Sequence, residues 1–188
     1  MINGYDDASY PEETLVTNAS RLLSVLCGVL LISVSAHAQP QTPQAGPRTG
    51  TLVVSGDVAK PLTLTPAELK TLPRKTVTID EDGRKVSYEG VLVSDLLKRA
   101  GAASGPELRG PAVAAYVVVT GNDGYQAVYS VAELDPVFTG SEVIVADSVE
   151  GKPLFDYQGP FRVIAPKDTR GARSVRMAEK IELFRLRK

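Results

Sequence analysis

Five cations stand close together near the C-terminal end of the sequence. They are Arg162, Lys167, Arg170, Arg173 and Arg176, within Gly159–Arg176 (GPFRVIAPKDTRGARSVR), and they face one acid, Asp168. A guanidinium holds a carboxylate or phosphate through two parallel N–H bonds. A glycine in such a loop, here Gly171, lets backbone amides approach an anion. The chemistry this spacing offers is anion binding by Arg162, Arg173 and Arg176. A structural reading competes with it. Residues 51–151 carry 9 bases and 14 acids, net −5, and residues 152–188 carry 10 bases and 4 acids, net +6. The arginines could simply pair with the acids upstream, and charge alone leaves both readings open.

The rest of the catalytic inventory is short. The only Cys (Cys27) and the only His (His37) lie in an N-terminal segment that reads as a signal. Leu22–Ala36 is a run of 15 small and apolar residues that follows Arg21 and ends in Ala36-His37-Ala38. That is the pattern of a secretory signal peptide cut before Gln39. The run is short for a membrane-spanning helix, which needs about 20 residues, so a retained anchor is the weaker reading. Leu26 before Cys27 speaks against lipid attachment. The expectation is an exported protein, periplasmic or secreted, with no membrane span after cleavage. Residues 1–20 hold four acids and no base, the wrong charge for a signal. Translation is therefore expected to start near Leu15 or Val16, and a precursor beginning at Met1 would refute that.

Without residues 1–38 the chain has no Cys, no His and no Trp. Disulfides, thiolate nucleophiles, imidazole bases, zinc sites and iron–sulfur ligation are excluded, and no haem is expected either. Carboxylates, Tyr, Lys, Arg, Ser and Thr remain. Nucleic acid is an unsuitable partner. Between Arg162 and Arg176 no aromatic is interleaved with the cations, and the net charge is small.

The elements that must position these groups are mostly strands. Residues 39–50 (QPQTPQAGPRTG) read as a flexible linker, and 51–188 as one domain large enough for a core. Strands are expected at 51–58, 112–120, 125–130, 142–147, 161–166 and 181–186. A hairpin spans 76–88 around Asp82-Gly83, with Val77 and Ile79 in phase with Val86 and Tyr88. Asp80, Glu81 and Asp82 lack the spacing of a calcium loop and read as a solvated hairpin tip. Capping boxes at Thr65–Glu68 and Ser130–Glu133 start short helices over 66–72 and 131–135. Another helix covers 93–100, with Ser94 as cap and Gly101 as stop, and a helical turn is expected within 174–180. Asp95 falls in a first turn, where the helix dipole favours an acid, which is a structural role. The order is not strictly β-α-β, so the expected fold class is α+β: β-rich, with mixed or antiparallel sheets and a few short helices.

Several words then line up: TLVVSGDVAKPLTLTPAEL (51–69), YEGVLVSDLLKRAG (88–101), DGYQAVYSVAEL (123–134), VIVADSVEGKPL (143–154) and GPFRVIAPKDTRGARSVR. Together they resemble the molybdopterin-binding domain of the sulfite oxidase family, in a small exported form, over nearly all of 51–188. The resemblance implies that fold and a molybdopterin cofactor. It places Arg162, Gly171, Arg173, Ser174, Arg176 and Tyr125 at cofactor-binding positions. Tyr125 also has a plainer reading, as a half-buried ring with a wet hydroxyl. The sequence departs from the family at three points. Arg176 stands where Lys is usual, and Gln158 stands near a position that is often His. The stretch TVTIDEDGR also has no counterpart of the Cys thiolate that binds molybdenum in full-length members. Carboxylate or hydroxyl would not replace that soft donor. No catalytic or metal residue is therefore expected. The expected function is a non-catalytic module that binds an anionic small molecule, a pterin or a protein partner. The alternative is an oxidoreductase whose molybdopterin lacks a protein thiolate.

Overall fold

The computed structural model describes residues 50–186. The signal segment, the unusual start and all of the linker but Gly50 lie outside the described residues. Ten strands and four short α-helices follow in the order β1 Leu52–Gly56, β2 Leu62–Leu64, α1 Pro66–Lys70, β3 Lys75–Glu81, β4 Arg84–Leu92, α2 Val93–Arg99, β5 Ala115–Gly121, β6 Gln126–Ser130, α3 Val131–Leu134, α4 Pro136–Thr139, β7 Ile144–Val149, β8 Lys152–Pro153, β9 Arg162–Ile164 and β10 Ala178–Arg185. They form two five-stranded sheets. The first has the order β2-β1-β10-β5-β6 and is mixed, because β1 and β10 run parallel. The second has the order β3-β4-β7-β8, with β9 also on β7, and its pairs are antiparallel. The fold class is the α+β one expected.

Period-two alternation decides which side chain goes where. On β7, Val145 joins a main core with Val117, Ile181 and Leu183 of the first sheet. Its neighbours Ile144 and Ala146 turn to a smaller core with Val77, Val86 and Tyr88. Both faces are apolar at this point, which explains why Val143–Ala146 is apolar without alternation. The hairpin register is the expected one, with Val77 opposite Tyr88 and Ile79 opposite Val86. Asp82 (φ 55°) and Gly83 (φ 81°) make its left-handed turn, the conformation that Asp-Gly favours.

The Thr65 capping box closes in both directions. At α3 only Ser130 caps, accepting from Glu133 N, because the Glu133 carboxylate is drawn to Arg173. Three expectations are corrected. Ser94 does not cap α2; the N-cap is Leu92, and Val93 N bonds Val143 O across the sheet instead. The strand expected from 112 begins at Ala115, after a 3₁₀ turn at Gly110–Ala114 begun by the Gly-Pro pair. The helical turn expected within 174–180 lies earlier, as a 3₁₀ turn at Gly171–Arg173, and Ala178 already belongs to β10. The short elements β2, α4 and β8 were not anticipated, since they are too brief for periodicity to register.

Candidate functional site

The chain leaves β9 at Ile164 and runs through Pro166–Arg170 into the 3₁₀ turn Gly171–Arg173. Two tyrosines of one strand face hold this turn. Tyr125, just before β6, and Tyr129 lie four residues apart, so both point to the same side. The Tyr125 hydroxyl donates to Ala172 O at 2.6 Å, and the Tyr129 hydroxyl donates to Arg173 O. Ser174 is buried, and its hydroxyl accepts from Ala165 N at 3.3 Å. These bonds fix the backbone of the basic loop against β6 and β9.

The five cations separate into two groups. Arg173 is committed: Nε and Nη2 donate to the two oxygens of Asp168 at 2.8 and 2.7 Å, and Nη1 reaches Glu133 at 2.5 Å. Its guanidinium also lies 4.8 Å from the Tyr129 ring centre. The carboxylates raise its pKa above the usual arginine value, with Asp168 the larger cause. Lys167 donates to Thr139 O at 2.6 Å. Arg162 is 4% exposed and reaches Glu81, Tyr88 and Gln158. Arg170 and Arg176 are different. Among the described residues neither has a carboxylate within 4.0 Å, and Arg176 lies 5.5 Å from the Tyr157 ring centre.

A cleft of about 1110 Å³ opens over this loop. Arg162, Gly171, Ser174, Arg176 and Tyr125 line it, and so does Arg170; Arg173 does not. The structure thus brings five of the six sequence-derived site residues to one cavity and turns the sixth into a strut beneath it. A Cβ at Gly171 would meet nothing within 4 Å, so that backbone faces open space. The cleft carries both signs. Asp80, Glu81, Asp82, Asp123 and Asp168 line it beside Arg162, Arg170 and Arg176. Among the described residues no group of three or more His, Cys, Asp or Glu is placed to hold a metal ion.

Glu81, expected in a solvated hairpin tip, is instead a site residue: its half-buried carboxylate pairs with Arg162. A signal for it exists. Val77, Ile79 and Glu81 share one phase of β3, so the acid occupies an inward position of an apolar stripe. On β9, Val163 faces the main core, which turns Arg162 and Ile164 to the opposite side, where Tyr88 also lies. Alternation on three strands therefore brings Glu81, Tyr88 and Arg162 together.

The family model for the oxidoreductase molybdopterin binding domain matches residues 38–187. No curated protein sequence matches the chain. Among solved structures, the sulfane dehydrogenase SoxCD from Paracoccus pantotrophus is similar, with a TM-score of 0.57 at 20% identity over 71% of this chain. The match covers 38% of that chain, and at this identity it shows a shared fold. With the family model spanning most of the sequence, the chain belongs to the oxidoreductase molybdopterin-binding domain family.

Proposed function

We propose that this domain is a non-catalytic, exported member of the family that holds a small anion in its cleft through Arg170, Arg176 and the open backbone at Gly171. The observation that carries the reading is the pair of cleft arginines without carboxylate partners, beside a loop whose other cations are occupied. Guanidinium groups at a polar cavity wall suit a carboxylate or a phosphate ester. Five carboxylates against three guanidiniums line the cavity, which disfavours a polyphosphate and suits a ligand with a single anionic group.

The family implies a molybdenum–pterin cofactor, and the residues here fit only part of it. The unpartnered arginines suit the phosphate of the pterin. Among the described residues the metal has no suitable donor. Residues 50–186 contain neither Cys nor His, and the hairpin carboxylates are hard ligands that do not replace a thiolate. No redox step is therefore assigned to this chain.

Two measurements test the proposal. Molybdenum and pterin analysis of protein from its native exported compartment is expected to find no metal. Stoichiometric molybdenum would instead favour an oxidoreductase working without a protein thiolate. Calorimetric titration with inorganic phosphate should show binding in the wild type that weakens about tenfold in the Arg170→Gln/Arg176→Gln variant. Equal affinity in the two proteins would remove the cleft from consideration.

A further inference from the structure

Arg162 and Arg173 offer a comparison within one molecule. In an arginine, Nε–H and the adjacent Nη2–H form one edge with two parallel donors, matched to two oxygens of an anion. Arg173 uses this edge fully, with Asp168 on both prongs at 2.8 and 2.7 Å. Arg162 uses half of it. Nη2 meets Glu81 Oε1 at 3.0 Å, while Nε is buried and has no hydrogen-bond partner among the described residues. The opposite nitrogen, Nη1, is fully engaged by the Tyr88 hydroxyl at 2.5 Å and Gln158 Oε1 at 2.9 Å. An unpaired buried donor is costly, and native proteins rarely keep one. The vacant prong belongs to a side chain that lines the cleft.

The two partners of the Arg162–Glu81 pair are held very differently. Arg162 is locked by Tyr88, by Gln158 and by its stacking 5.0 Å from the Tyr88 ring centre. Glu81 is the last residue of β3, paired only with Arg84 at the hairpin end, and its side chain is 30% exposed. Its carboxylate also accepts from the Tyr88 hydroxyl at 3.1 Å. Releasing it breaks one hydrogen bond and one ion pair and returns a half-wet group to water. The glutamate is the mobile member, and the arginine is the fixed seat.

We infer that Glu81 is a displaceable internal occupant of an oxyanion seat on Arg162. A ligand carboxylate or phosphate with two oxygens takes both Nε and Nη2, and Glu81 swings out with the hairpin tip. The cleft then has a latched state, with only Arg170 and Arg176 offered, and an open state with a third guanidinium. Glu81 sets the threshold between them and so tunes selectivity for anions that bind bidentately. This rests on the cleft reading above and adds a gate to it.

The test is calorimetric titration of the full-length protein with inorganic phosphate at fixed ionic strength. Glu81→Gln removes the charge that holds the latch. Glu81→Asp keeps the charge but shortens the reach, and guards against a fold defect in the first variant. Asp82→Asn removes a cleft charge without touching Arg162. The inference predicts about tenfold tighter binding in both Glu81 variants, less than about twofold in Asp82→Asn, and loss of the gain when Arg162→Gln is added to Glu81→Gln. An equal gain in Asp82→Asn would reduce the effect to the general field and overturn the gate. Unchanged affinity in the Glu81 variants would overturn it too. The cleft reading would survive that result if Arg170→Gln/Arg176→Gln still weakened phosphate, and would fall with the gate if no variant bound.

Discussion

Two buried tyrosines carry the residue-scale consequences of this site. Burial pushes the Tyr88 hydroxyl up to about 12, against the opposing pull of Arg162. Burial likewise raises Tyr129 above its ordinary value, with Arg173 opposing. Each is a phenol whose folded-state pKa exceeds its unfolded one of 10.0. Between the two values the unfolded chain binds fewer protons, so stability falls as pH rises. The folded domain is expected to lose stability above pH about 10. A denaturant series at rising pH checks this, and phenolate absorbance should show two tyrosines titrating last. Tyr88→Phe should leave the onset and make the loss of stability with pH less steep. An unchanged slope would mean that Tyr88 is not held neutral by the fold.

At the scale of elements, Gly90 marks the place where β4 meets β7. The register shifts between Glu89 and Gly90, and a Cβ at Gly90 would lie 2.0 Å from Val145 O. No rotamer relieves a clash with backbone. Gly90→Ala is therefore expected to cost about 3 kcal/mol and to lower the melting midpoint by about 10 °C. Gly171→Ala is the control, since its Cβ would meet nothing within 4 Å. It should leave the midpoint within about 2 °C, and calorimetric scans of the two variants decide the point. The extra residue at this shift is Asp147 of β7, and it changes the facing of that strand. Ile144 and Ala146 pack in the small core, and so does Val149 three residues on.

At the scale of the molecule, the last strand is the middle one. β10 lies between β1 and β5 in the first sheet, parallel to one and antiparallel to the other. The sheet that holds β6, and with it the tyrosines under the basic loop, is complete only when the C-terminal residues arrive. A chain ending at Arg176 is expected to show no cooperative thermal transition by circular dichroism, while one ending at Leu186 keeps it. A cooperative melt of the shorter chain would mean that the first sheet closes without β10. Charge follows the same topology. The net −5 and net +6 segments meet through Arg162–Glu81 and Arg173–Glu133, so part of the sequence asymmetry is neutralised by pairing across the fold.

Features that depend on local order alone could be read from the residues. Asp82-Gly83 has one good backbone solution and set the hairpin register. Thr65 and Glu68 cap one another across three residues. The absence of Cys and His beyond residue 38 limits the chemistry whatever the fold. The basic loop was also legible, because its cations are contiguous and its words resemble a known domain. Which cations are free was not legible. Arg162, Arg173 and Arg176 look alike in the sequence, and only long-range pairing separates them. Glu133 is 40 residues from Arg173, and Glu81 reaches Arg162 from another hairpin. A salt bridge depends on the position of two strands, and strand order is set by the burial of whole faces rather than by neighbours in the chain. The cationic character of the loop is therefore written in residue types, while which arginines lack a carboxylate partner, and that Glu81 pairs with Arg162, is decided by the tertiary structure.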